Sequence, residues 1–158
     1  MMSDTKRTLH DFYEVKISDI MQPVKTTPCI LENAALDHVL SALKDHGYVW
    51  VVSKGASKRL LGVITESDLI AVLSPPITSL QVFDAPDSHS LQFGMPLTAE
   101  EIMSKKPVTA SGEQTVREAI IIMKQFRVKQ LPVVDHEGLL LGDITLHRLI
   151  ELYCKEIL

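Results

Sequence analysis

Leu60-Leu-Gly-Val-Ile-Thr-Glu-Ser-Asp-Leu-Ile70 is written a second time eighty positions later, as Leu140-Leu-Gly-Asp-Ile-Thr-Leu-His-Arg-Leu-Ile150, with seven of eleven positions identical. Each copy is an apolar run containing a glycine, then a threonine, then apolar residues at helical spacing. That order predicts a strand, a tight passage and a helix, with the threonine at the junction. Free backbone N–H groups and the positive end of the helix dipole meet at such a junction and attract anions. Thr65 adds a hydroxyl, and Asp68, one turn on, offers acceptor oxygens to a vicinal diol such as ribose. The same Thr-x-x-Asp pattern is also a helix cap, and only the repeat lifts it above that reading.

Working outward, the repeat extends through most of the 158 residues. Ile17-Ser-Asp-Ile-Met21 matches the Ile-Met ending of Thr98-Ala-Glu-Glu-Ile-Met103. Pro28-Cys-Ile-Leu31 pairs with Pro107-Val-Thr-Ala110, although Pro23-Val24 competes for the same match. Leu36, Val39, Leu40 and Leu43 form one apolar helix face, as do Val116, Ala119, Ile120 and Met123. Val49-Trp-Val-Val52 and Leu131-Pro-Val-Val134 read as buried strands, followed by turns at Ser53–Ser57 and Asp135–Gly138. Each half therefore reads strand, helix, strand, strand, helix. The predicted organisation is a lead-in at 1–16, with Leu9, Phe12 and Tyr13 at helical spacing, repeat 1 at 17–73, an inter-repeat insertion at 74–96 and repeat 2 with a C-terminal helix at 97–158. A half of about 60 residues hides only roughly 60% of its unfolded surface, so two halves are expected to pack through their sheets about a pseudo-twofold axis, leaving clefts.

Composition narrows the function. With 46% hydrophobic and 23% charged residues the chain is an ordinary globular protein. A net charge of −4 argues against a nucleic-acid surface. No apolar run approaches the ~18 residues of a membrane span and no signal-peptide pattern opens the chain, so a cytoplasmic protein is expected. Cys29 and Cys154 have no paired spacing and are expected to be buried or half-buried thiols. The six histidines show no metal-site spacing and read as surface residues. Trp50 reads as core. No nucleophile, base and orienting group fall together, so no enzyme is expected.

The order Ile-Met, Pro-Val-Thr, Thr-Val-Arg-Glu-Ala, Leu-Pro-Val-Val-Asp, Gly and Ile-Thr resembles the CBS domain, named for cystathionine beta-synthase. The likeness covers roughly Ile17 to Ile150 and is clearest from Glu101 to Thr145. It implies an α+β fold of two tandem β-α-β-β-α repeats, a stand-alone CBS pair or Bateman module. It further implies a regulatory module that binds AMP, ADP, ATP or S-adenosylmethionine and forms a homodimer acting on a protein that is unknown. In that family Gly-x-x-Thr/Ser-x-x-Asp holds ribose and phosphate, which Gly62, Thr65 and Asp68 match. Val63, on the same strand face as Thr65, would lie against the adenine. Gly47 and Tyr48 fall where the family also touches its ligand, and Ile102 and Met103 would come from the other half. This is the first expected site.

The second copy, with Ile20, Met21, Lys129, Gln130, Asp143, Thr145 and Arg148 as its expected site, departs from the pattern twice. Arg148 replaces the carboxylate and Asp143 stands where an apolar residue would meet the base. Arginine carries only donors and cannot accept from ribose hydroxyls. That cleft is therefore expected to be empty, differently occupied or phosphate-preferring, with Asp143 open to an exocyclic amine; an Asp143–Arg148 salt bridge filling a dead site is the competing reading. Ala119-Ile-Ile-Ile-Met123 is apolar on more than one helix face, which fits a homodimer contact. Residues 74–96, with Leu80, Val82, Phe83 and Phe93, are read as a surface insertion in preference to a cleft cover or a partner contact. The alternative to a ligand sensor is a structural, dimerising interaction module without a bound ligand.

Overall fold

Thr8 opens the first element of the computed structural model, which describes residues 7–75 and 97–158. The expectations for the residues before Arg7 and for Leu80, Val82, Phe83 and Phe93 lie outside the described residues. The Thr8 hydroxyl accepts from the Asp11 N–H while the Asp11 carboxylate accepts from the Thr8 N–H, a reciprocal cap on α1 (Leu9–Glu14). Phe12 of α1 is buried and packs edge-on against Tyr153, with ring centroids 5.6 Å apart. A single turn, α2 (Ile17–Ile20), and a two-residue strand, β1 (Gln22–Pro23), follow.

The first repeat continues with β2 (Cys29–Leu31), α3 (Leu36–His46), β3 (Tyr48–Val52) and β4 (Leu60–Thr65). Its closing helix differs from the expectation in detail. A 3-10 turn, Glu66–Asp68, separates β4 from α4 (Leu69–Leu73). Beyond the inter-repeat segment stand α5 (Ala99–Ile102) and β5 (Ser104–Lys105), then α6 (Val116–Phe126), β6 (Gln130–Val134), β7 (Leu140–Thr145) and α7 (Leu146–Glu156).

These elements form a mixed α+β fold with two sheets, in two compact units: residues 28–107, and residues 1–27 with 108–158. In the first unit the strand order is β2-β3-β4-β5, with β2 parallel to β3 across the α3 crossover and the other pairs antiparallel. In the second unit the order is β1-β7-β6. The expected first strand of repeat 2 shrinks to one parallel bridge, Ala110 to Val133. Proline explains the loss at the strand's start. Trp50 N–H donates to the Pro28 carbonyl at 2.9 Å, but Pro132, at the position of Trp50, has no N–H to give. Ile30 and Ala110 both stand opposite the strand residue that pairs with their repeat's glycine, and Pro23 and Lys105 both pair with that glycine. Pro107 is therefore equivalent to neither Pro28 nor Pro23.

Each unit takes its lead segment from the other repeat. Leu97, Ala99 and Ile102 join the core of the first unit with Val39, Leu43, Val49, Val51, Ile64, Leu69 and Val72. Ile17 and Ile20 join Val116, Ala119, Met123, Leu131, Val133, Ile144, Leu149 and Leu152 in the second. The expected helix faces supply these cores, with Leu36 and Ile120 half-buried and Leu40 38% exposed. Trp50 is buried, and the five described histidines are exposed. Cys29 is half-buried, but Cys154 is exposed, because it lies on the solvent side of α7 while Leu149 and Leu152 face inward.

The repeated glycine permits this exchange. β5 pairs with β4 at Gly62–Lys105 and Val63–Ser104, and β1 pairs with β7 at Gly142–Pro23 and Asp143–Gln22. A Cβ on Gly62 would stand 2.5 Å from the Met103 sulfur and 2.7 Å from the Ser104 carbonyl oxygen; one on Gly142 would strike the Gln22 carbonyl. Neither glycine has a positive φ, so close approach, not backbone freedom, requires it. Gly142→Ala is expected to lower unfolding stability by about 3 kcal/mol, measured as a fall in urea midpoint, because the obstructing atom is backbone. Gly62→Ala should be costly as well, since the Met103 thioether can swing aside but the Ser104 carbonyl oxygen, 2.7 Å away, is backbone.

Candidate functional site

In the first unit, β3 and β4 bring the predicted residues to one end of the sheet. Tyr48, the first residue of β3, stands opposite Thr65, the last of β4. Gly47 precedes it in the left-handed conformation, φ 74°, closing α3. Its carbonyl accepts from Glu66 N–H at 3.3 Å, and a Cβ there would lie 3.2 Å from the Glu66 carboxylate. The Tyr48 ring packs on Trp50 at 5.6 Å, which fixes its direction. Half-buried Val63 lies between Trp50 on β3 and Ser104 on β5.

Asp68 is the polar centre of this group. One carboxylate oxygen accepts from Thr65 N–H at 2.8 Å and from the Thr65 hydroxyl at 3.3 Å; the other accepts from the Ser104 hydroxyl at 3.3 Å. The side chain is thus both a cap and the meeting point of the two repeats' segments. It is half-buried, and these three bonds use three of the roughly four acceptor sites of a carboxylate. Met103 is half-buried against Gly62, while Ile102 is 8% exposed and turned into the core.

Ser104 was not among the residues singled out from sequence. The matched Ile-Met pair located the lead segment, but only the β4–β5 register puts the next side chain on Asp68.

In the second unit, Ile20, Met21, Asp143, Thr145 and Arg148 line one cavity of about 280 Å³, together with Gln22 and Pro23. Gln130 stands opposite Thr145, and the Lys129 carbonyl accepts from Leu146 N–H at 2.8 Å, so both lie beside this cavity rather than in its wall. Asp143 is fully buried between Gln22 and Pro132. The Thr145 hydroxyl accepts from Arg148 N–H at 3.1 Å. From the guanidinium, Nε donates to the Ile20 carbonyl at 3.3 Å, and Nη1 lies 3.7 Å from Glu151. Among the described residues no group of three or more His, Cys, Asp or Glu side chains could hold a metal ion, and no helix is long and apolar enough to cross a membrane.

The family model of the CBS domain matches residues 17–75 and 99–155. The fold is similar to that of CBSX2, solved in complex with AMP, with a TM-score of 0.71 and 20% identity over 89% of this chain and 97% of that one. It is similar also to the CBS domain of a bacterial CNNM/CorC family Mg2+ transporter in complex with ATP, with a TM-score of 0.68 and 20% identity over 94% of each chain. At these identities the likeness is one of fold. An uncharacterized protein of Methanocaldococcus jannaschii is 28% identical over 112 residues, 59% of this chain and 66% of that protein. The chain spans 48% of a second uncharacterized relative, from Methanopyrus kandleri.

Removing the cap is expected to be mild. Asp68→Ala should lower unfolding stability by about 1 kcal/mol, the ordinary worth of such a cap, and leave a cooperative urea transition. A loss several times larger would mean that Asp68 holds the two segments together.

Proposed function

The chain belongs to the CBS domain family, and from that premise we propose that it is a regulatory module binding an adenosine-containing ligand, AMP, ADP, ATP or S-adenosylmethionine, at Gly47, Tyr48, Val63, Thr65, Asp68 and Met103, with Ile102 behind them. The observation that carries the reading is the Asp68 carboxylate. It is held from two sides by Thr65 and Ser104 and half-exposed at a strand-to-helix junction. An ionised carboxylate is acceptor-only, which suits a vicinal diol with two donors. The rotatable Thr65 and Ser104 hydroxyls can yield their bonds to ribose while the Thr65 N–H keeps the carboxylate aimed. Beside it Val63 and Tyr48 offer apolar surface to a base. That proteins of this fold are held in complex with AMP and with ATP supports the ligand class.

Regulation follows from the exchanged segments. A ligand touching both β4 and the 102–104 lead favours arrangements in which the two stay docked, and only that differential affinity can shift an equilibrium. The output passes to a regulated protein through a homodimer. Ile121 and Phe126 on α6 are 55% and 53% exposed, more apolar surface than a monomer needs. That same exposure favours the second reading, a dimerising interaction module without a ligand.

Thermal unfolding with AMP, ADP, ATP and S-adenosylmethionine separates the two. A ligand at one hundred times its dissociation constant should stabilise by about 2.7 kcal/mol, and Asp68→Ala should weaken its binding by roughly 1.5 to 3 kcal/mol. No shift with any of the four compounds would leave the interaction module, and turnover of one by pure protein would contradict both readings.

A further inference from the structure

The turns that close the two hairpins carry opposite charge. Between β3 and β4, Ser53–Arg59 holds Lys54, Lys58 and Arg59 and no acid; between β6 and β7, Asp135–Leu139 holds Asp135 and Glu137 and no lysine or arginine. Beside the second turn lies a hollow of about 510 Å³, bounded by Asp135, by Glu113 in the loop before α6 and by Ser18 on α2. It stands at the far end of the β6–β7 hairpin from Thr145 and shares no residue with the cavity there. We propose that this hollow is a docking site for the Ser53–Arg59 turn of a second copy of the chain. The contact uses neither the Asp68 site nor the exposed α6 face, and it is independent of the ligand reading.

The basic turn is shaped to enter a partner. Residues 54–59 are exposed, and a Cβ on Gly55, φ 113°, would meet nothing within 4 Å, so the tip stands clear. It is nonetheless held: Ser53 N–H donates to the Arg59 carbonyl at 2.9 Å, and the Ser53 hydroxyl donates to the Ser57 carbonyl at 3.2 Å. Among the described residues, no carboxylate lies within ion-pairing distance of Lys54, Lys58 or Arg59. The hollow answers each part of this turn. Ala110, Val134 and Leu141 give an apolar floor for lysine stems, and the Glu113 and Asp135 carboxylates stand at the walls for their charged heads. Glu137, in the adjoining turn, brings the carboxylates to three against three basic groups. Among the described residues no lysine or arginine lines the hollow, so an anion finds no charge partner there. The walls are also fixed in advance. Asp135 Oδ1 accepts from the Glu137 and Leu139 N–H groups, each at 2.9 Å; Glu113 N–H donates to the Ser111 hydroxyl at 3.2 Å, and Ser18 N–H to the Gly112 carbonyl at 2.9 Å. Preformed walls lower the ordering cost of association. At a net charge of −4 two copies repel at long range, so matched patches decide which faces meet. A single turn buries less than the roughly 1,200 Å² of the smallest stable interfaces, which makes the contact weak unless both copies reciprocate it in a closed pair.

Carbodiimide coupling, which joins lysine amines to carboxylates in contact, tests this on an equal mixture of isotope-labelled and unlabelled protein. Mixed-isotope peptides joining Lys54 or Lys58 to Glu113, Asp135 or Glu137 are expected. Their absence overturns the proposal, as does coupling of these residues only within one isotope. Sedimentation then measures the contact. Lys54→Glu/Lys58→Glu/Arg59→Glu and Glu113→Lys/Glu137→Lys should each weaken self-association by about tenfold or more, and an equal mixture of the two variants, which again sets opposite charges face to face, should recover it. Recovery also shows that both variants are folded; no recovery between variants whose urea transitions match the parent's overturns the proposal. Raising ionic strength from about 0.01 M to about 1 M shortens the screening length from about 30 Å to about 3 Å and should dissolve this contact, whereas screening of net repulsion alone would strengthen association. Association indifferent to both salt and the charge reversals would belong to the apolar α6 face and contradict the proposal. Agmatine, a free basic side chain, should compete with the mixed-isotope coupling at Glu113; agmatine bound there without any such coupling would name a small cationic ligand in place of a second copy.

Discussion

The structure depends on one close approach, made twice: a short strand from one repeat lies directly over a glycine of the other. Gly62 admits Met103 and Ser104, and Gly142 admits Gln22 and Pro23. With a side chain at either glycine the lead strand could not reach ladder distance, and the sheet would keep an open edge. Burial follows from the same contact. The short helices before each lead strand deliver Ile102 and Ile20 into cores that their own repeats do not contain. A repeat body of this size hides too little surface alone, and the borrowed segment adds apolar area where the sheet would otherwise end.

The same geometry makes chemistry. Because β5 docks on β4, the Ser104 hydroxyl reaches a carboxylate thirty-six residues away in sequence, and Asp68 is held from both repeats' segments. The scaffold fixes where the strand ends and the helix begins; the residues at that point decide what is read. Thr65 with Asp68 presents lone pairs, whereas Thr145 with Arg148 presents donors and positive charge. One fold written twice thus carries two strand-to-helix junctions of opposite hydrogen-bonding character, and a change at three or four positions separates them.

Much of this is legible in the chain, because its signals are local. The repeated Leu-Leu-Gly run, the i, i+3, i+4, i+7 faces and the Thr-x-x-Asp spacing give the strands, the helices and the position of Asp68. What escapes is set by partners distant in sequence. β1 and β5 are two residues each and carry no periodicity, so only their ladders define them. Pro132 reads as part of a buried strand, yet its missing N–H removes the ladder bond before the Ala110 bridge. The 3-10 turn at Glu66–Asp68 looks like helix in sequence, and Ser104 is an unremarked serine until β5 sets its register. Cys154 has an apolar neighbourhood in sequence but a solvent-facing place on α7.

If the lead segment of repeat 2 completes a ligand site on repeat 1, nuclear magnetic resonance of the amide signals during an adenosine titration reports it directly. The Gly47, Thr65, Asp68 and Ser104 amides should shift together and saturate with one dissociation constant. Shifts at Thr65 and Asp68 with Ser104 unmoved, or shifts confined to other parts of the chain, would contradict the account.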